Sequence, residues 1–319
     1  MTQPLDTGRE AASEARSEPQ ASGVDKEDFG LRGFARDPVD EPAFPWCCTR
    51  RDGTRRYRAR LMRVVDLDRD MSDVIPTGTT RDSQFLFERM TRVTLDATRA
   101  APGRRILDVA SGFGQDAVAL RARGAEVIGA EPSARMTEWA RLVSSKAAGP
   151  APSWVRGWSD ALPFADATFD AAYCKGALDH FDRPELAIAE MARVTKPEGR
   201  VVLAVANFAS FACRAARAKD RFREGALGRE PRRGRRHYDV PADHFTRYEL
   251  DLLRTHAERV LTLESITGLS LAWGLPSWTR FVERVPAFVA SAALHVADAF
   301  ARVAPGLSDV IVLVGRPRR

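Results

Sequence analysis

The sequence predicts an α/β fold built on a mostly parallel, seven-stranded sheet with helices on both faces. Three observations carry this. Short apolar runs alternate with helical patterns from Arg105 to Ala206, and such strand–helix–strand units force parallel pairing. A glycine-rich turn, Gly112-Phe113-Gly114, follows the first run directly and opens a helix. Two further β-like stretches near the end of the 319-residue chain supply the last strands.

The elements follow in order. Residues 1–41 are acidic and rich in Ala, Ser, Glu, Asp and Gly, and read as a disordered tail unable to bury enough apolar surface to offset its ordering entropy. Residues 42–101 form an N-terminal extension and helix. In it Phe44, Trp46, Tyr57, Leu61, Met62, Val64 and Val65 are candidates to pack onto the main domain, and Pro76 and Gly78 mark a turn. A helix is expected over residues 82–100, with Asp82 or Ser83 as its cap. The main domain, residues 102–319, then has strands at 106–110, 126–130, 153–155, 169–174 and 200–206. Helices are expected at 115–123, 133–144 and 184–194, the last turning Leu186, Ile188, Met191 and Val194 inward. A basic insertion at 208–245 interrupts the alternation. It follows a strand on the edge where open parallel sheets bind ligands, so it reads as a substrate wall or lid. A helix near 247–257, strands at 260–265 and 309–314, and one or two helices within the apolar stretch 278–303 complete the chain. The whole is a Rossmann-like sheet.

Composition narrows the partners. A hydrophobic share of 44% and a charged share of 29% fit a globular protein. No apolar run is long enough to span a bilayer, and the stretch 278–303, broken by His295 and Asp298, reads as core or dimer packing. The first residues have no apolar core of a secretory signal, so a cytoplasmic protein is expected, monomer or homodimer. The net charge of +6 includes arginine-rich runs at 50–63 and 214–236. They lack interleaved aromatics, so they read as solvated surface and no nucleic-acid partner is expected. Cys47, Cys48, Cys174 and Cys213 form no CxxC pair and no cysteine–histidine cluster, so no metal site is expected.

Two readings compete for Gly112 to Ala117: a dinucleotide turn with pyrophosphate on the helix N-terminus, or a cradle for a nucleoside without phosphates. Asp108, just before the turn, bears on the choice. An ionised carboxylate aimed at this crevice repels pyrophosphate and suits ammonium and sulfonium groups. Asp116 adds negative charge near the same end. Glu131 closes the second strand, where an acid accepts from both ribose hydroxyls, and it serves either reading.

The stretch Leu107-Asp108-Val109-Ala110-Ser111-Gly112-Phe113-Gly114 resembles the first motif of the class I S-adenosylmethionine-dependent methyltransferases, with Ala110 in place of a glycine. The resemblance continues in order. Residues 127–136 (VIGAEPSARM) are similar to the second motif, with Glu131 for the usual aspartate; residues 158–174 to the Asp-Ala-x-x-Leu-Pro-Phe segment; residues 190–205 to the segment entering the fifth strand, with Glu198 for a glycine. It covers most of 105–205 and is most similar to the small-molecule branch, including ubiquinone- and menaquinone-biosynthesis-like enzymes.

This resemblance implies S-adenosyl-L-methionine as cofactor, a small-molecule methyl acceptor and an antiparallel final strand pair. It implies a cofactor cradle of Asp108, Ala110, Ser111, Gly112 and Gly114, then Glu131, Pro132 and Met136, the last near the adenine. Ser159, Asp160 and Ala161 follow, with Asp160 standing in for the adenine acceptor because that place falls on Trp158, which cannot accept. Cys174, Lys175 and Gly176 line the methionine part. Beyond them His180 is the candidate base, since imidazole titrates near neutrality, and Asp179 is a second base or an orienting group. The bland alternative is that His180 packs or caps the next helix. His244 is a weaker candidate; the favoured reading of its neighbourhood is a helix entry with Thr246 as cap and Glu249 completing a capping box. A nicotinamide-dependent oxidoreductase and a non-catalytic cofactor-binding protein of the same fold are the competing functions.

Overall fold

A computed structural model describes residues 79–318, apart from 232, 233, 235, 237 and 240–243. The acidic tail, the aromatic residues of the extension, Cys47 and Cys48, the arginine run 50–63 and the turn at Pro76 and Gly78 lie outside the described residues.

The first described helix is α1 (Arg81–Ala97). Strands and helices then alternate: β1 (Arg105–Val109), α2 (Gln115–Ala122), β2 (Glu126–Ala130), α3 (Ala134–Lys146), β3 (Ser153–Val155), β4 (Phe169–Lys175), α4 (Pro184–Val194) and β5 (Thr195–Ala206). After these come α5 (Phe211–Arg221), α6 (Leu250–Glu258), β6 (Leu261–Leu269), α7 (Pro276–Arg284), α8 (Ala287–Val303) and β7 (Val310–Pro317). The strands form one seven-stranded sheet in the order β3-β2-β1-β4-β5-β7-β6. Strands β1 to β5 pair in parallel, and β7 runs antiparallel to both β5 and β6. The order reverses between β1 and β4. The crevice outside their carboxyl ends is the place where such a sheet receives a ligand.

Both faces of the sheet are covered. On one, Leu107, Ala172, Val201 and Leu203 pack with Ile188 and Met191 of α4 and Leu253 of α6. On the other, Ile106, Ala171, Tyr173, Val202 and Ala204 pack with Leu86, Met90 and Leu95 of α1 and Leu120 of α2. The buried runs are rich in Val, Ile, Leu and Ala, as parallel strands covered on two sides require.

Some local expectations are corrected. The N-cap of α1 is Thr80; Asp82 instead lies inside the helix, buried, and accepts from the Thr279 hydroxyl at 2.7 Å. Leu186 sits on the outer face of α4 at 37% exposure, whereas Ile188, Met191 and Val194 are buried. Helix α6 starts at Leu250 with Glu249 as its N-cap, and Thr246 makes no cap. Its backbone N–H donates to the Asp179 carbonyl at 3.1 Å, beside that of Phe245 at 2.8 Å.

The segment 278–303 divides into parts of α7 and α8. Helix α8 is held by a buried charge: Asp298, with no exposed surface, accepts from Arg89 of α1 at 2.8 Å and from Arg302 at 2.6 Å. Ala290, Leu294 and Ala301 pack inward, and Phe288, Val296, Phe300 and Val303 stay exposed. Among the described residues, no helix is long and apolar enough to cross a membrane.

Candidate functional site

The glycine turn leaves β1 at Ala110, whose φ is +57°. This left-handed conformation is the one a glycine adopts without cost, and an alanine adopts it with strain. Backbone bonds over-determine it: the N–H groups of Ala110 and Ser111 both donate to the Ala130 carbonyl, at 2.9 and 3.3 Å. Ala110 therefore keeps the turn shape rather than narrowing it. Gly112 and Gly114 also have positive φ, for different neighbours. A β-carbon on Gly114 would overlap the Trp154 ring, which lies across Gly114 and Gly129. One on Gly112 would meet only the Met136 methyl, at 3.6 Å. Gly114 serves packing; Gly112 is the position with room beside it.

Glu131 ties this turn to α3. One carboxylate oxygen accepts from the Gly112 N–H and the other from the Ser133 N–H, each at 3.0 Å. Ser133 in turn caps α3 by accepting from Met136 N–H at 3.1 Å. The adjoining Pro132 carbonyl accepts from Arg156. The end of β2, the glycine turn and the start of α3 are thus one hydrogen-bonded unit.

Asp108 differs from the expectation. Its register places it beside Tyr173 of β4 and Gly129 of β2, 3% exposed and on the α1/α2 face of the sheet. Burial, reinforced by the neighbouring Asp116 charge, pushes its carboxyl up to about 8, against the opposing pull of Tyr173 and Lys175. The carboxylate expected from the sequence to be ionised is therefore one whose ionisation burial opposes in the free protein. Its Oδ2, the Tyr173 hydroxyl and the Ser111 hydroxyl are buried without hydrogen-bond partners. Asp116 is itself paired: Lys175 Nζ lies 2.6 Å from its carboxylate and donates to Thr91 at 2.7 Å. That side chain turns from the end of β4 toward α1 and α2, away from the role of lining a ligand. Cys174 is wholly buried, its thiol pushed far up by desolvation, so no ligand reaches its sulfur. Gly176, at φ +66°, has the Met90 methyl as its neighbour.

The loop before β4 carries the remaining cradle residues. Asp160 pairs with Arg183 at 3.0 Å, Ser159 is half-buried beside it, and Ala161 is exposed. This loop is fixed from behind. Arg193 donates to Glu190, to Asp166 and to the carbonyls of Leu162 and Phe164, and Glu190 accepts from the Leu162 N–H at 3.0 Å. The Leu-Pro-Phe segment and the Glu-x-x-Arg segment, read separately in the sequence, are two halves of one brace.

Beyond β4, a short 3₁₀ turn (Leu178–His180) presents Asp179 and His180. The end of the basic insertion returns here. His244 Nε2 lies 3.0 Å from Asp179 Oδ2, and the His180 and His244 rings stand 4.0 Å apart at 51°. His180 does not cap α4, whose start carries no side-chain cap. It packs against an imidazole 64 positions away in the chain. The favoured reading of residues 244–249 as a plain helix entry missed this contact.

These residues fit a cationic nucleoside. Acids cluster at the β1, β2 and β3 ends, while the nearby cations Lys175 and Arg183 are engaged by Asp116 and Asp160. A pyrophosphate would meet the Glu131 carboxylate. The open side of Gly112 marks where a ligand has room.

Comparison with known proteins finds methyltransferases. Residues 107–203 match the family model described as a methyltransferase domain. The demethylmenaquinone methyltransferase of Renibacterium salmoninarum is 36% identical over 140 residues, covering 44% of this chain and 54% of that one. That of Beutenbergia cavernae is 37% identical over 113 residues, covering 35% and 45%. The chain spans about half the length of these curated relatives. The crystal structure of the PH0226 protein from Pyrococcus horikoshii OT3 superposes with a TM-score of 0.50 at 16% identity, over 77% of this chain and 97% of that one, a likeness of fold. The family match falls on the strands that carry the glycine turn and its acids, so residues 107–203 are similar to a methyltransferase domain.

Proposed function

We propose that this protein transfers a methyl group from S-adenosylmethionine to a small organic acceptor. The observation that carries the reading is the Glu131 unit: an acid at the end of β2, locked by Gly112 and Ser133 beside an open glycine turn. When bound, the cofactor supplies an electrophilic methyl on a sulfonium.

The chain's own residues then have separable tasks. Glu131 is the acceptor for the ribose hydroxyls, as a carboxylate at the end of β2. Gly112 lets the backbone approach the ligand, and Met136 and Pro132 form the apolar side of the base site. Asp160, held by Arg183, accepts from an exocyclic amine where Trp158 cannot. Asp108 lies beneath, and a cation above the turn favours its ionised form. Lys175 is a positioning residue that keeps Asp116 neutralised. An acceptor O–H or acidic C–H must lose a proton, and His180 with Asp179 stands at the edge where that proton is handed over. The insertion walls this edge through His244 and Phe208, whose rings meet at 6.2 Å. Methyl transfer then depends mostly on alignment and exclusion of water.

The curated relatives are named for demethylmenaquinone, so quinols and phenols head the acceptor panel. The test is transfer of labelled methyl from S-adenosylmethionine to that panel, with S-adenosylhomocysteine as co-product. Turnover that falls at least about tenfold in Glu131→Ala supports the reading. Cofactor binding without turnover on any acceptor favours the binding protein instead, and binding of NADH in its place favours the oxidoreductase.

A further inference from the structure

We propose that Asp179, His180 and His244 form a binding site for one divalent first-row transition ion. Each offers one ligand atom, and the three atoms lie within 4.8 Å of one another. Two atoms bonded to one ion at about 2.1 Å stand about 3.0 Å apart at a right angle and about 3.4 Å apart at the tetrahedral angle. His244 Nε2 and Asp179 Oδ2, at 3.0 Å, already have that spacing. The third ligand atom lies within 4.8 Å of both, on the His180 ring that closes the 3₁₀ turn and faces the His244 ring at 4.0 Å.

An independent observation points to a ligand. Asp179 is 3% exposed, and its Oδ1 is buried without a hydrogen-bond partner. Leaving a carboxylate oxygen desolvated and unpaired is costly. A cation bonded to this carboxylate removes the penalty. The backbone is set up to hold the group together, because the Asp179 carbonyl accepts from both Phe245 and Thr246, the residues that follow His244. The Asp179 backbone and side chain thus bind the end of the insertion at two points.

Two imidazoles and one carboxylate suit zinc, cobalt, nickel or iron(II) better than magnesium or calcium, which prefer all-oxygen shells. Three protein ligands leave positions for an oxygen of a small molecule at the carboxyl edge of β4. In the loaded protein His180 is a ligand, and a coordinated hydroxyl loses its proton more readily than a free one. The metal site stands apart from the methyl-transfer reading and is tested without any nucleoside.

The experiment uses the full, tag-free chain stripped with chelator and titrated with cobalt(II), followed by visible d–d absorption, with zinc(II) calorimetry as a second measurement. One ion per chain is expected. His180→Ala, His244→Ala and Asp179→Asn should each weaken binding at least about tenfold, as loss of a ligand does. His295→Ala, on the exposed side of α8, should leave it unchanged. Asp179→Asn keeps the side-chain shape, and circular dichroism of the stripped variants separates lost binding from lost folding. Absence of a stoichiometric cobalt spectrum, or equal binding by folded wild type and all three ligand variants, overturns the site.

Discussion

Replacing Asp108 by Asn should stabilise the protein, and the gain should grow with pH. The carboxyl is fully buried, and desolvation with the Asp116 charge raises it from an ordinary 3.8 to about 8. A group raised on folding binds its proton more tightly in the native state. Its contribution is complete below the unfolded value and is lost as pH climbs toward the folded value. Over that window the wild type loses up to about 1.4 kcal/mol per pH unit, a ceiling of about 6 kcal/mol by pH 8. Relaxation and water entry reduce this, so a growth of about 1–3 kcal/mol in the variant's advantage between pH 5 and pH 8 is expected. Asparagine is close in shape to the protonated acid and does not titrate. Asp309, also raised, to about 7 by burial, is present in both proteins and cancels in the difference. The assay is urea unfolding of the ligand-free pair at several pH values. A stability difference that stays flat from pH 5 to pH 8 would refute the account of a desolvated Asp108.

Other changes test the site's construction. Ala110→Gly relieves a left-handed alanine at φ +57° and should raise stability by up to about 1 kcal/mol in thermal unfolding, with the glycine's greater unfolded-state entropy subtracting from the gain. Gly114→Ala should cost more than about 2 kcal/mol, since the new methyl meets the Trp154 ring at a positive φ, and Trp154→Ala in the same chain should recover part of that loss in a double-mutant cycle. Asp298→Ala leaves Arg89 buried without its carboxylate and should destabilise the fold by about 3–5 kcal/mol in denaturant unfolding, with α8 losing amide protection first.

Much of this was legible in the chain because local pattern and global fold agree. The strands at 126–130 and 153–155 and the helix at 184–194 fall where hydrophobic period and turn residues place them. The family motifs located the edge of the sheet that holds the acids. What escaped was set by contacts across the chain. Asp108 reads as ionised until its neighbours Tyr173 and Gly129 show it shut beneath the turn. Lys175 looks like a ligand-lining residue until Asp116 and Thr91 claim it. The helix entry at Thr246 and Glu249 has the spacing of a capping box, yet the Thr246 N–H is drawn to Asp179 instead. His180 and His244 are separated by a whole strand, two helices and most of the insertion, so no spacing rule joins them. The one available signal was that a basic insertion returning to the ligand edge ends in Asp-His-Phe.

The central claim is that the turn between β1 and α2, with Glu131 and Asp108, holds S-adenosylmethionine. Calorimetric titration of the full chain with S-adenosylhomocysteine tests it most directly. The account predicts one site per chain, weakened at least about tenfold in Glu131→Ala, with proton release on binding that disappears in Asp108→Asn. Folded wild-type protein that takes up no S-adenosylhomocysteine, or that binds it equally well without the Glu131 carboxylate, would contradict it.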